Sequence, residues 1–176
     1  VEDIGEIGFS AARDTLVILK AIDAAGEGGN VFFRSRSYGI TEAVNTTRDT
    51  VGVKLHLNGA CLNLSNSSAK IVIGQTGSGL LMGGGGIHAL ADFTGDAVVI
   101  APQARTTDAR RLVHLSEGDI FMSGNATGRA LVLEVTDADT RIVGLRSHGM
   151  NIAGFLYGVH LNSAAATGVG FVNDNE

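Results

Sequence analysis

Three short apolar runs each carry one residue able to do chemistry: His114 in Val113-His114-Leu115, Glu134 in Leu133-Glu134-Val135 and His160 in Val159-His160-Leu161. A polar residue between two apolar ones is the period-2 pattern of a strand with one buried face. With the apolar pair turned inward, the two imidazoles and the carboxylate stand on the outside. A His114–Glu134–His160 column there would bind hydroxyl groups, or hold a carboxylate of shifted pKa as general acid or base. Lys54 and His56 alternate in the same way within Val53–Leu57 and extend the polar face toward the N-terminus. The same residues would equally serve as ordinary solvated positions of a sheet surface, or line a trimer interface.

Hydrolysis of a glycosidic bond generally uses two carboxyl groups about 5–9 Å apart. Asp137 and Asp139 follow Glu134 closely and are candidate catalytic partners for it. Turn aspartates also occur for backbone reasons, through side-chain bonds to nearby N–H groups. Asp92 with Asp96, and Glu117 with Asp119, carry the same ambiguity. Other chemistries lack their motifs. The glycines around Leu80-Leu81-Met82 form neither dinucleotide nor P-loop spacing and read as loop geometry. The five histidines lack H-x-x-x-H spacing, no serine has a G-x-S-x-G context, and Cys61 is the single cysteine, so no metal and no cofactor is expected.

Composition narrows the partners. The net charge of −5 and the absence of a basic run argue against nucleic acid, which needs clustered Lys and Arg. No stretch of about 18 apolar residues exists, so membrane insertion is not expected. Glycine, at 25 of 176 residues with a single proline, Pro102, points to many tight turns between short strands. The chain opens on Val1 and stops at Asn175-Glu176 and reads as a piece of something longer.

One element is helical. Asp14 is a plausible N-cap, Leu16, Ile18, Leu19, Ile22 and Ala25 give spacings of three and four, and Gly26, Gly28 and Gly29 end the run. The rest reads as strands: Val31–Phe33, Val51–Leu57, Ile71–Ile73, Ala97–Ile100, Leu112–Leu115, Leu131–Val135, Ile142–Leu145, Gly158–Leu161 and Val169–Val172. Leu133-Glu134-Val135-Thr136 repeats as Val159-His160-Leu161-Asn162 at an offset of 26 residues, and Val143-Gly144-Leu145 then falls on Val169-Gly170-Phe171. At that offset Asp137 and Asp139 match Ser163 and Ala165, so the coil itself does not require them. Val113-His114-Leu115 is an earlier partial copy. A strand-and-turn repeat of this length without helices predicts an all-β right-handed parallel β-helix capped by one N-terminal amphipathic α-helix. Residues 1–30 would form the capping segment and 31–176 the coils. A β-sandwich is the structural competitor, although it has no use for an exact repeat or an opening helix.

The N-terminal residues also resemble a known family. Asp14-Thr15, Ile18, Ala21-Ile22-Asp23-Ala24-Ala25, Gly28-Gly29, Val31-Phe32-Phe33, Tyr38 and Ile40-Thr41-Glu42, followed by Val51–Leu57 and Asn58-Gly59-Ala60, are similar to the leading module of the pectin-lyase-like superfamily. The likeness covers residues 13 to 60, and it departs at Arg34-Ser35-Arg36-Ser37, where the family usually has proline and glycine. Phage tailspikes and tail appendages commonly carry this module. The resemblance implies a homotrimeric virion component that recognises a bacterial surface polysaccharide and works beside other tail proteins. Cleavage by a glycoside hydrolase or lyase activity is left open. The alternatives are a secreted, extracellular, monomeric polysaccharide lyase or hydrolase, and a purely structural fibre segment. Glu134, Asp137 and Asp139 are the catalytic candidates; His114, His160, Lys54 and His56 are the substrate-binding ones.

Overall fold

A computed structural model of the chain describes residues 10–47, 51–74, 78–101, 113–122, 127–135 and 145–163. Helix α1 (Ala11–Ala25) starts at Ser10, whose Oγ accepts the Arg13 N–H at 3.3 Å, and stops at Gly26, which takes φ 65°. The stop follows the glycine run, because a left-handed residue ends a helix most cheaply when it has no Cβ. The start does not follow expectation: Ser10, not Asp14, is the N-cap.

Asp14 is instead one turn inside the helix and buried, holding the edge of the sheet. Its Oδ2 accepts the Gly39 N–H at 2.9 Å and its Oδ1 accepts Arg36 Nη2 at 3.0 Å. Thr15 Oγ1 accepts the Thr41 N–H at 3.0 Å and lies 3.2 Å from the Gly39 carbonyl. An edge strand normally presents unpaired N–H and C=O groups that invite further strands. Here two helix side chains satisfy them, as a preceding strand would. The helix comes close enough to do so because residue 39 is glycine; a Cβ there would collide with Ala11. Ile18 and Ile22 meanwhile close the core, and Leu16 stays 51% exposed, outside the apolar face assigned to it by spacing.

Three turns follow. Strands β1 (Asn30–Phe32), β2 (Ser37–Ile40) and β3 (Ala43–Asn45) make the first, β4 (Lys54–His56), β5 (Cys61–Leu64) and β6 (Lys70–Ile73) the second. Strands β7 (Gly79–Leu81), β8 (Gly86–Ala89) and β9 (Asp96–Ile100) make the third. Two longer partial turns stack on these: β10 (Val113–Met122) with β11 (Arg129–Val135), then β12 (Leu145–Ala153) with β13 (Tyr157–Ser163). All pairings are parallel, β1-β4-β7-β10-β12 on one face, β2-β5-β8-β10-β12 on the second and β3-β6-β9-β11-β13 on the third. The fold is a parallel β-solenoid with one N-terminal helix, as the repeat predicts.

Alternation decides what is inside. Leu55, Leu80 and Leu115 lie one above another, as do Tyr38, Leu62, Ile87 and Ile120, and all are buried. Strands β10 and β12 each run through two faces without a turn. At that bend Gly118 packs so closely on Met82 and the Gly85 carbonyl that a side chain would not fit. The glycine-rich stretch expected as a loop around Leu80 is two strands, β7 and β8, joined at Gly83 and Gly84. At the far end Leu131 and Leu133 are buried, while their register partners Val159 and Leu161 are 57% and 54% exposed.

Candidate functional site

The strand registers separate the first candidate column. Strands β11 and β13 pair with Leu133 opposite Leu161 and Glu134 opposite Asn162, an offset of 28 residues where the sequence repeat suggested 26. A shift of two keeps each side chain on its own face, since strand geometry has period 2, but it exchanges partners. Glu134 Oε1 accepts Asn162 Nδ2 at 3.3 Å, and His160 lies opposite Val132, its ring 5.6 Å from that of Tyr157. His114 lies on β10, between Gly79 and Arg146, in the other sheet. The His114–Glu134–His160 column is therefore not formed.

Asp137 and Asp139 lie outside the described residues, as do the runs beginning at Ile142 and Val169 apart from Leu145 at the head of β12. Asp96 is occupied by Arg129, which grips both its oxygens, Nε to Oδ1 at 2.6 Å and Nη2 to Oδ2 at 2.9 Å. That fork, ahead of the nearby charges of Asp96 and Glu134, raises the Arg129 pKa against the opposing effect of desolvation. Asp92 takes φ 68° in the β8–β9 turn, a backbone role that aspartate tolerates well. Glu117 and Asp119 fall on β10.

Lys54 and His56 do come together, and with two residues that spacing alone missed. Val31 and Leu55 turn inward, so Asn30, Phe32, Lys54 and His56 share the outer surface of the first two rungs. Asn30 stands over Lys54 and Phe32 over His56. His56 Nε2 donates to Asn30 Oδ1 at 2.9 Å. The imidazole stacks on Phe32 with centroids 4.4 Å apart and planes 23° from parallel. Phe32 is nevertheless 68% exposed. Lys54 makes no ion pair among the described residues. Leu81 continues the Phe32–His56 column on the next rung. The available signal was the offset of 24 residues between Asn30-Val31-Phe32 and Lys54-Leu55-His56, two strands with the same alternation.

Burial, and then the neighbouring Lys54 charge, lower the His56 pKa. In the unfolded chain the imidazole binds its proton more tightly, so stability rises with pH through the window below the ordinary value of 6.5. The contribution is complete above that value and is lost as pH falls through the lowered one. His56→Gln is therefore expected to cost less stability at pH 5 than at pH 8, measured by urea unfolding at both; an equal cost at the two pH values would contradict this.

The arrangement suits binding. An exposed ring, an amide, an imidazole and an ammonium with no ion pair among the described residues can engage apolar C–H faces, hydroxyls and negative charge side by side. Among the described residues no group of three or more metal-ligating side chains forms. No protein-family model, curated protein or solved structure matches the chain.

Proposed function

We propose that the chain is a rod segment of a phage tail appendage that recognises a bacterial surface polysaccharide through the outer face of its first rungs. The observation that carries this reading is the Asn30–Phe32–Lys54–His56 cluster, with Phe32 68% exposed beside three groups able to meet hydroxyls or charge. An exposed aromatic ring beside convergent polar groups is the kind of surface that gains by contacting an amphipathic ligand. The parallel solenoid and the resemblance of residues 13 to 60 to the leading module of tailspikes support the same reading. In it, three copies associate, other tail proteins hold the assembly in the virion, and the glycan lies along the rod. Glu134 with Asn162 offers a carboxylate–amide pair able to hold hydroxyls on the third face.

Biolayer interferometry against an array of bacterial surface polysaccharides tests the proposal. Phe32→Ala and His56→Ala should each weaken binding by about tenfold, the loss of one ring contact or of one polar contact in a shared site. Binding that survives both substitutions unchanged would remove the cluster from the account. Sedimentation equilibrium on the same protein tests the trimer.

A further inference from the structure

Helix α1 closes the solenoid core with Ile18 and Ile22 and turns its other side to water. On that outer side Arg13, Leu16, Val17 and Lys20 recur at the spacing of neighbours along one helix face, a stripe about 10 Å long. All four are exposed, Leu16 by 51% and Val17 by 49%. Two apolar side chains therefore stand between two cations. Neither the Arg13 guanidinium nor the Lys20 ammonium makes an ion pair among the described residues. Local preference does not account for the stripe. Arg13 is the third helical residue after the Ser10 cap, where glutamate would complete a capping box, and its charge lies at the positive end of the helix dipole. Val17 is β-branched and loses rotamer freedom in the helix while half of it stays in water.

We infer that this stripe is a docking surface for an acidic amphipathic helix of another protein. The partner helix carries carboxylates at positions i and i+7 and apolar side chains at i+3 and i+4. Laid along α1, it buries Leu16 and Val17 and pairs both cations at once. The inference is independent of glycan recognition, which was placed on the outer surface of β1 and β4. A second copy of the chain fits less well. Two α1 helices meeting antiparallel at Leu16 and Val17 would set Arg13 of each against Lys20 of the other, and a parallel pair would set like residues together. An anionic lipid surface also fits less well, because Asp23 and Glu27 are exposed just beyond Lys20 and would face the headgroups. A helix with its carboxylates at the two ends of the stripe meets the cations and leaves those acids to water.

The whole chain is used to select from a yeast-display library of helical peptides randomised at i, i+3, i+4 and i+7. The expected enrichment is Asp or Glu at the outer two positions and Leu, Ile, Val or Met at the inner two. A synthetic helix with Glu, Leu, Leu and Glu there should bind at least about tenfold tighter than the same helix with Lys for both Glu, read by fluorescence anisotropy. Leu16→Ala and Arg13→Glu should each weaken that binding by about tenfold. Arg13→Glu should also leave the melting temperature unchanged or raise it, since glutamate suits the first turn, so the loss is not one of folding. Arg13→Glu combined with Lys20→Glu should reverse the preference to the Lys-bearing helix. No enrichment, enrichment of apolar residues without acids, or binding that survives Leu16→Ala unchanged overturns the inference. Tighter binding to phosphatidylglycerol vesicles than to the peptide assigns the stripe to lipid. Self-association that Leu16→Ala abolishes assigns it to a second copy, and either result overturns the inference as well.

Discussion

Leu80→Ala is expected to destabilise the protein by about 3–5 kcal/mol, the range for truncating a fully buried leucine whose surroundings cannot collapse. Leu80 is completely buried and sits in the middle rung, with Leu55 on one side and Leu115 on the other. Each of these neighbours is fixed by its own strand pairings, so the hole has little room to close. Leu81 is the internal control, since it belongs to the same strand but turns outward and is half-exposed. Leu81→Ala should cost less than about 1 kcal/mol. Urea unfolding reads both, and the Leu80 variant should show a lower midpoint with an unchanged slope. Equal costs for the two leucines would mean that the inside and outside of β7 have been assigned wrongly.

The second large effect concerns the capped end. Asp14→Ala removes the carboxylate that binds both the Gly39 N–H and the Arg36 guanidinium, and is expected to cost about 2–3 kcal/mol. The figure stays below that for a fully buried pair because the Arg36 side chain is 34% exposed and keeps access to water. Arg36 also lies over the Tyr38 ring, 3.8 Å from its centroid, which holds it near the cap after the carboxylate is gone. Arg36→Ala should cost less than Asp14→Ala, since it leaves the bond to Gly39 in place. Thermal unfolding of the two single variants and the double variant separates the ion pair from the cap. Light scattering should detect association in Asp14→Ala alone, because only that change reopens a strand edge. A double variant as destabilised as the sum of the singles, with no association, would reduce Asp14 to an ordinary surface acid.

These two substitutions also mark the boundary between what could be read and what could not. The apolar alternation of Val53–Leu57 was legible because a strand's side chains alternate whatever the strand pairs with. The helix end was legible because Gly26 satisfies a local steric demand. Local reasoning also suggested Asp14 as a cap, since aspartate is favoured there. Its actual partners, Arg36 and Gly39, lie 22 and 25 residues away, and only the closing of the first turn brings them near.

The candidate column shows the same division more sharply. Local alternation gave the outward side of Lys54 and His56, but not their vertical neighbours. Paired residues lie 24 apart at β1 and β4, 28 apart at β11 and β13, and 33 apart between Asp96 and Arg129. The turns absorb insertions of any length, so a repeat read at one constant offset drifts out of register by whole rungs or, as here, by two residues. His114 was misplaced for a different reason: Val113-His114-Leu115 looks like a copy of the Glu134 strand but belongs to another sheet. By itself the sequence determined a parallel β-solenoid with a leading helix and the outward side of the Lys54–His56 strand, because those follow from periodicity and local backbone demands. Only the tertiary structure decided that Phe32 and Asn30 stand over His56 and Lys54, because stacking between rungs is set by turn lengths that no local pattern encodes.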